Sequence, residues 1–116
     1  MIIECIEFMC IYCRGYNDTE DIWRRLLSSS TNPLWQYCYC RNIKDREEIW
    51  KALANNNRQS VLPYQYYYCR YIKDRPEMAT AIKNSKQSDR NKWWKAYCQW
   101  RKNENRKHTR RHSNGY

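Results

Sequence analysis

Apolar side chains recur at helical spacing in four places along the chain. Phe8, Ile11, Tyr12 and Tyr16 form the first set, and Trp35, Cys38, Tyr39 and Ile43 the second. Tyr64, Tyr67, Tyr68 and Ile72 form the third. Trp93, Ala96 and Tyr97 begin a fourth, in which Arg101 stands at the last position. Offsets of three, four and eight place such residues on one stripe of a helix. Between these sets lie shorter ones: Ile22, Trp23 and Leu26, then Ile49, Trp50 and Leu53, then Met78 and Ile82. Asp18, Asp45 and Asp74 precede them, each followed three residues on by an acid, Asp21, Glu48 or Glu77. That is a capping-box arrangement, with the Asp side chain accepting a backbone N–H of the first turn. It predicts helices that start near Glu20, Glu47 and Pro76, where a first-turn proline costs little. Polar loops follow at 28–32, 55–60 and 84–88.

The two kinds of element alternate because the text repeats. CRNIKDREEIWKALA begins at Cys40 and CRYIKDRPEMATAIK at Cys69. Tyr-Cys occurs at Cys13, Cys40, Cys69 and Cys98, with spacings of 27, 29 and 29 residues. A fixed period of this size marks a repeat architecture in which each unit buries its face against the next. It is shorter than the roughly 34 residues of tetratricopeptide repeats, whose signature residues are missing. A strand-plus-helix unit is the rival, since QYYYCRYI is rich in β-formers. The fourth copy, SDRNKWWKAYCQWRKN, favours helix: Lys, Arg, Ala and Gln separate its rings and Ser88 offers an N-cap. The expected fold is all-α. Three helical hairpins near residues 5–31, 32–60 and 61–87 are followed by a partial fourth copy, a basic helix over 88–102. Residues 103–116, which lack an apolar period, are expected to form a disordered basic tail.

Charge sharpens this picture. The chain carries +10 overall, and residues 83–116 hold eleven basic and two acidic side chains, a net of +9. Such a gradient attracts polyanions. Aromatics make up 16 % of the residues, with eleven Tyr and six Trp, so the core must use rings that keep a polar tip. No apolar stretch approaches a membrane span. The opening MIIECIEFMCIYC contains Glu4 and Glu7 and lacks a basic start, which argues against a signal peptide. An intracellular protein, cytoplasmic or nuclear, with its seven cysteines reduced is therefore expected.

Catalytic constellations are missing. Gly15 and Gly115 are the only glycines, and His108 and His112 the only histidines, so neither a phosphate-cradling loop nor a positioned base is evident and no enzyme is expected. Cys10 and Cys13 have the spacing of half a zinc knuckle, and His108 and His112 that of the other half, so zinc is a candidate cofactor. Against it, Cys13 belongs to the repeated Tyr-Cys column, where a small buried apolar residue suffices. The stronger candidate is a nucleic-acid surface. Arg14, Arg41 and Arg70 recur once per copy and would form a ladder suited to phosphates. Lys92, Trp94, Lys95, Trp100, Arg101 and Lys102 interleave rings with cations, as do Tyr37 and Tyr66 with their neighbours, a pattern that stacks bases while pairing phosphates. Arg106, Lys107, Arg110 and Arg111 add a basic patch of the kind used for nuclear localisation. The expected function is non-catalytic binding of RNA or another single strand. The alternative is a protein-interaction adaptor that uses the helical surface, and a third is a zinc-binding regulatory protein.

Overall fold

The computed structural model describes residues 18–113, with side chains described through Arg106. Among these residues there are six helices and no strand: α1 (Glu20–Arg24), α2 (Pro33–Asn42), α3 (Glu47–Ala54), α4 (Val61–Tyr71), α5 (Pro76–Lys83) and α6 (Arg90–Ser113). The starts at Glu20, Glu47 and Pro76 are those the capping pattern predicts. The described Tyr-Cys segments, at Cys40, Cys69 and Cys98, are helical, not extended.

α2 pairs with α3 and α4 with α5. Two layers result. α4 lies between α2 and α6 in one layer, and α3 packs on α5 in the other. α3 and α5 turn their apolar sides inward: Ile49, Trp50 and Leu53 on α3, Met78, Ala79 and Ile82 on α5. Burying each such aliphatic side chain contributes about 1.5–3 kcal/mol. Acids occupy the first turns of α1, α3 and α5 and a base the last turn of each, which suits the helix dipole. The turn inside each hairpin is also repeated. The Tyr39 carbonyl accepts the N–H groups of Ile43 and Lys44 at 2.9 and 3.0 Å, and the Tyr68 carbonyl those of Ile72 and Lys73 at 2.9 and 3.1 Å.

The aspartates are not caps. The N-caps of α1, α3 and α5 are Thr19, Arg46 and Arg75, and none makes a side-chain cap bond. Asp45 instead reaches the next copy: the Tyr68 hydroxyl donates to its Oδ1 at 2.6 Å and Arg75 Nη2 to its Oδ2 at 3.0 Å. One copy earlier, Tyr39 and Arg46 hold Asp18 in the same way. A guanidinium and a phenol together bind a carboxylate more strongly than one backbone N–H does. Each arginine also lies over the tryptophan of the preceding short helix, Arg46 at 4.7 Å from the Trp23 ring centre and Arg75 at 4.3 Å from that of Trp50. At the third boundary Ala79 and Glu104 occupy the positions of tryptophan and arginine. There Asp74 takes its bonds from Tyr97 and Arg101, one turn apart on α6.

α6 begins after Asp89, whose carbonyl accepts the Trp93 N–H, not after Ser88. Its backbone runs unbroken to Ser113, through residues where the loss of apolar period predicts a disordered tail. No Gly or Pro interrupts 103–113, and Lys, Arg and Glu are good helix formers, so propagation from the packed turns continues. Among the described residues no helix is long and apolar enough to cross a membrane.

Candidate nucleic-acid interface

The outer side of the α2–α4–α6 layer presents rings and cations together. The rings touch in sequence: Tyr37 with Tyr64 and Tyr67, Tyr67 with Tyr71 and Trp93, at centre distances of 6.0–6.2 Å. Tyr64, Tyr67 and Trp93 are half-buried, and Tyr71 is 52 % exposed. Arg41 and Arg70 are exposed beside this row. The Arg41 guanidinium carbon lies 5.5 Å from the Tyr71 ring centre and that of Arg70 lies 5.3 Å from it. Tyr71 therefore bridges two rungs of the arginine ladder. Each arginine is steadied one turn back on its own helix: Arg41 Nη1 donates to the Tyr37 hydroxyl at 3.0 Å, and Arg70 Nη1 to the Tyr66 hydroxyl at 2.9 Å. The Tyr66 bond raises the Arg70 pKa further, so that cation is permanent. Lys92 sits over Trp93 at 5.2 Å and extends the cationic row onto α6.

Tyr37 and Tyr66, which miss the apolar stripe, are 6 % exposed each. They are wedged between neighbouring helices of the layer, and only their hydroxyls serve the surface. The stripe residues Trp35, Tyr64 and Trp93 are the ones left half-buried. A helix flanked by a neighbour on each side and by a hairpin partner buries more than one stripe.

The remaining candidates divide. Trp94 stands on the other side of α6 from Trp93, stacked on Tyr97 at 5.3 Å with 16° between ring planes and with Lys83 at 5.9 Å. Trp100 also packs against Tyr97, its ring tilted 55° from that of Tyr97 at a centre distance of 6.0 Å. Both rings are half-buried and lean on the core. Arg101 is engaged by Asp74. Lys95, Lys102 and Arg106 are exposed. Lys107, Arg110 and Arg111 fall on the last turns of α6, where the backbone alone is described. Arg14 lies outside the described residues.

Tyr71 and Lys83 have no counterpart in the sequence argument. Tyr71 is legible in retrospect: the residue one period earlier is Asn42, so an unrepeated ring interrupts an otherwise repeated surface.

Cys10 and Cys13 also lie outside the described residues, and His108 and His112 are described as backbone only. Among the described residues no three His, Cys, Asp or Glu side chains converge as metal ligands. Cys40 and Cys69 are 4 % and 2 % exposed. Burial pushes the Cys69 thiol up to about 12 and the Cys40 thiol up as well, so both behave as protonated apolar side chains. No protein family, curated protein or solved structure matches the chain.

Proposed function

We propose that this chain is a non-catalytic accessory protein that binds single-stranded nucleic acid, RNA foremost, along the outer side of the α2–α4–α6 layer. The observation that carries the reading is the Arg41–Tyr71–Arg70 row beside the half-exposed rings of Tyr64, Tyr67 and Trp93. Rings at about base-stacking reach accept any base, and guanidiniums at each rung accept phosphates. The excess positive charge of residues 83–116 supplies the long-range attraction.

Fluorescence anisotropy with a labelled single strand tests it. Affinity should fall steeply as salt rises, because each neutralised phosphate releases counterions. Arg41→Gln with Arg70→Gln should weaken binding and reduce the salt slope by about two. Tyr71→Ala should weaken binding by about 1–3 kcal/mol with the slope unchanged. Weak, salt-independent binding indifferent to Tyr71 would favour a protein partner on the same side instead.

A further inference from the structure

The first two boundaries each join a carboxylate, a phenol, a guanidinium and an indole, and the third has no indole. Asp18 and Asp45 each take a tyrosine hydroxyl on Oδ1 and an arginine on Oδ2. The same arginine lies over a ring, Arg46 over Trp23 and Arg75 over Trp50. Asp74 is held in the same pattern, by Tyr97 on Oδ1 and Arg101 on Oδ2. One period after Trp50, however, stands Ala79. Trp94 is a second departure. Gln36 and Gln65, at the equivalent position of α2 and α4, are 0 % and 2 % exposed. They donate to the Leu26 carbonyl at 2.7 Å and the Leu53 carbonyl at 3.0 Å. Trp94 is half-buried and lies nearly flat against Tyr97.

A cavity of about 310 Å³ lies where the missing ring would stand: Asp74, Ala79 and Arg101 all line it, and Lys83, Trp94 and Tyr97 complete its wall. It opens to solvent past the exposed side chains of Thr80, Lys83 and Arg101. Small-molecule sites run from about 300 to 1,000 Å³, so this one suits a single ring system. The charge of the wall has changed as well. In the preceding copy Glu47 and Lys51 pair at 2.9 Å, and Ala54 follows on the same stripe. Their equivalents are Pro76, Thr80 and Lys83. The acid is gone, and the cation stands where a methyl group was. Among the described residues the only carboxylate in the lining is Asp74, which Tyr97 and Arg101 already engage.

We infer that this cavity binds a small aromatic anion, one ring system bearing a carboxylate or a phosphate. The ring takes the place that Trp50 holds one copy earlier, beside the Arg101 guanidinium as Trp50 lies beside Arg75, and against Trp94. The anionic group meets Lys83 at the rim. A saturated ring of equal size offers the guanidinium no π-face. A neutral ring leaves Lys83 without a counter-charge, and a cationic one is repelled by Lys83 and Arg101 together. Trp93 and the Arg41–Tyr71–Arg70 row lie on the other side of α6 from Trp94, so this site is separate from the strand surface and does not rest on that reading.

Titration of the isotope-labelled protein at fixed salt, followed by NMR at the Trp94 indole N–H, tests it. The probes are indole-3-propionate and phenyl phosphate, with neutral 3-methylindole and saturated cyclohexanepropionate as controls. At least one aromatic anion should move that signal and bind about tenfold more tightly than either control. The better of the two distinguishes carboxylate from phosphate. Ala79→Trp restores the residue of the earlier copies and should weaken binding of that anion about tenfold or more, because the protein's own ring then fills the place. Lys83→Glu, at an exposed position, should weaken the anion similarly and leave 3-methylindole as it was; it decides alone if Ala79→Trp fails to fold. A Trp94 signal that no probe moves, or equal binding of either control, overturns the inference. Anion binding indifferent to Lys83→Glu does so too. Arg41→Gln with Arg70→Gln should change nothing, and loss of anion binding in that variant would assign the anion to the arginine row and overturn the site.

Discussion

The Tyr68 hydroxyl donates to Asp45 across 2.6 Å, from α4 into the turn of the preceding hairpin. Arg75 completes the link by donating to the same hydroxyl at 2.7 Å and to the same carboxylate at 3.0 Å. A buried phenol, 0 % exposed, thus adds a polar link between two copies at the opposite end of α3 from the Gln65 bonds to Leu53 and Ala54.

Tyr68→Phe should lower stability by about 1.5–3 kcal/mol, the range for a bond to a charged group. Urea denaturation followed by circular dichroism measures it. A double-mutant cycle with Asp45→Asn should show a coupling well above 0.5 kcal/mol, since the two touch. Strict additivity would mean the link is ornamental.

Acid should weaken the first boundary. The Arg46 guanidinium, opposed in part by burial, holds the Asp18 carboxyl below its ordinary value of 3.8. A lowered pKa contributes stability in full above the unfolded value, and that contribution is lost as pH falls through the folded one. Asp18→Asn should therefore destabilise at neutral pH, and its deficit relative to the unaltered chain should shrink as pH drops below about 4. A deficit constant with pH would dismiss the ion pair as its source.

Alkali acts on the last boundary. Burial, with the Asp74 carboxylate, raises the Tyr97 phenol from 10.0 to about 12. A raised pKa stabilises fully below the unfolded value and is lost as pH climbs through the folded one. Unfolding should become easier between about pH 10 and 12, and Tyr97→Phe should make that part of the profile less steep, the rest being due to Tyr39 and Tyr68, whose phenols burial also raises. Phenolate absorbance against pH, read beside circular dichroism, checks the coincidence.

Thiol accessibility should follow position in the array. Cys98 is exposed while Cys40 and Cys69 are buried. Brief alkylation of the native protein, mapped by mass spectrometry, should label Cys98 and leave Cys40 and Cys69 until denaturant is added. Early labelling of Cys69 would show that the hairpins part readily.

Trp94→Ala separates two roles of one ring. Trp94 stacks on Tyr97 and leans on the core, so the substitution should cost stability, about 3 kcal/mol or more if packing dominates. If the proposed strand binding holds, it should persist in the folded fraction, since Trp93 and Tyr71 do not touch Trp94, and anisotropy at low temperature would read it.

The helix starts were legible because Glu20, Glu47 and Pro76 follow from local chemistry: acids in the first turn, apolar spacing, a tolerated proline. The work of the aspartates was not legible from local chemistry. Asp45 satisfies every local criterion for a cap, yet its partners Tyr68 and Arg75 lie 23 and 30 residues away. Tyr66 illustrates a second gap. Stripe counting assumes one buried side per helix, whereas α4 is pressed from both flanks and by its hairpin partner, so the ring expected on the surface is 6 % exposed. The arginine positions Arg41 and Arg70 could be read by period alone, because a surface repeated in sequence is repeated in space.

Gln36 in α2 and Gln65 in α4 are equivalent buried residues, and each donates its amide nitrogen to a carbonyl on the far side of the loop that precedes its helix. Gln36 reaches Leu26 across ten residues and Gln65 reaches Leu53 across twelve, so the connecting loop can change length while the joint it closes does not. Residues 47–75 therefore behave as a cassette with matching plug and socket: Gln65 closes its own α3–α4 joint, Tyr68 and Arg75 grip Asp45 of the copy before, and Asp74 offers itself to the copy after. Splicing in a second 47–75 should lengthen the arginine row by one rung; under the proposed strand binding, the footprint measured by nuclease protection would then grow in steps set by the number of cassettes.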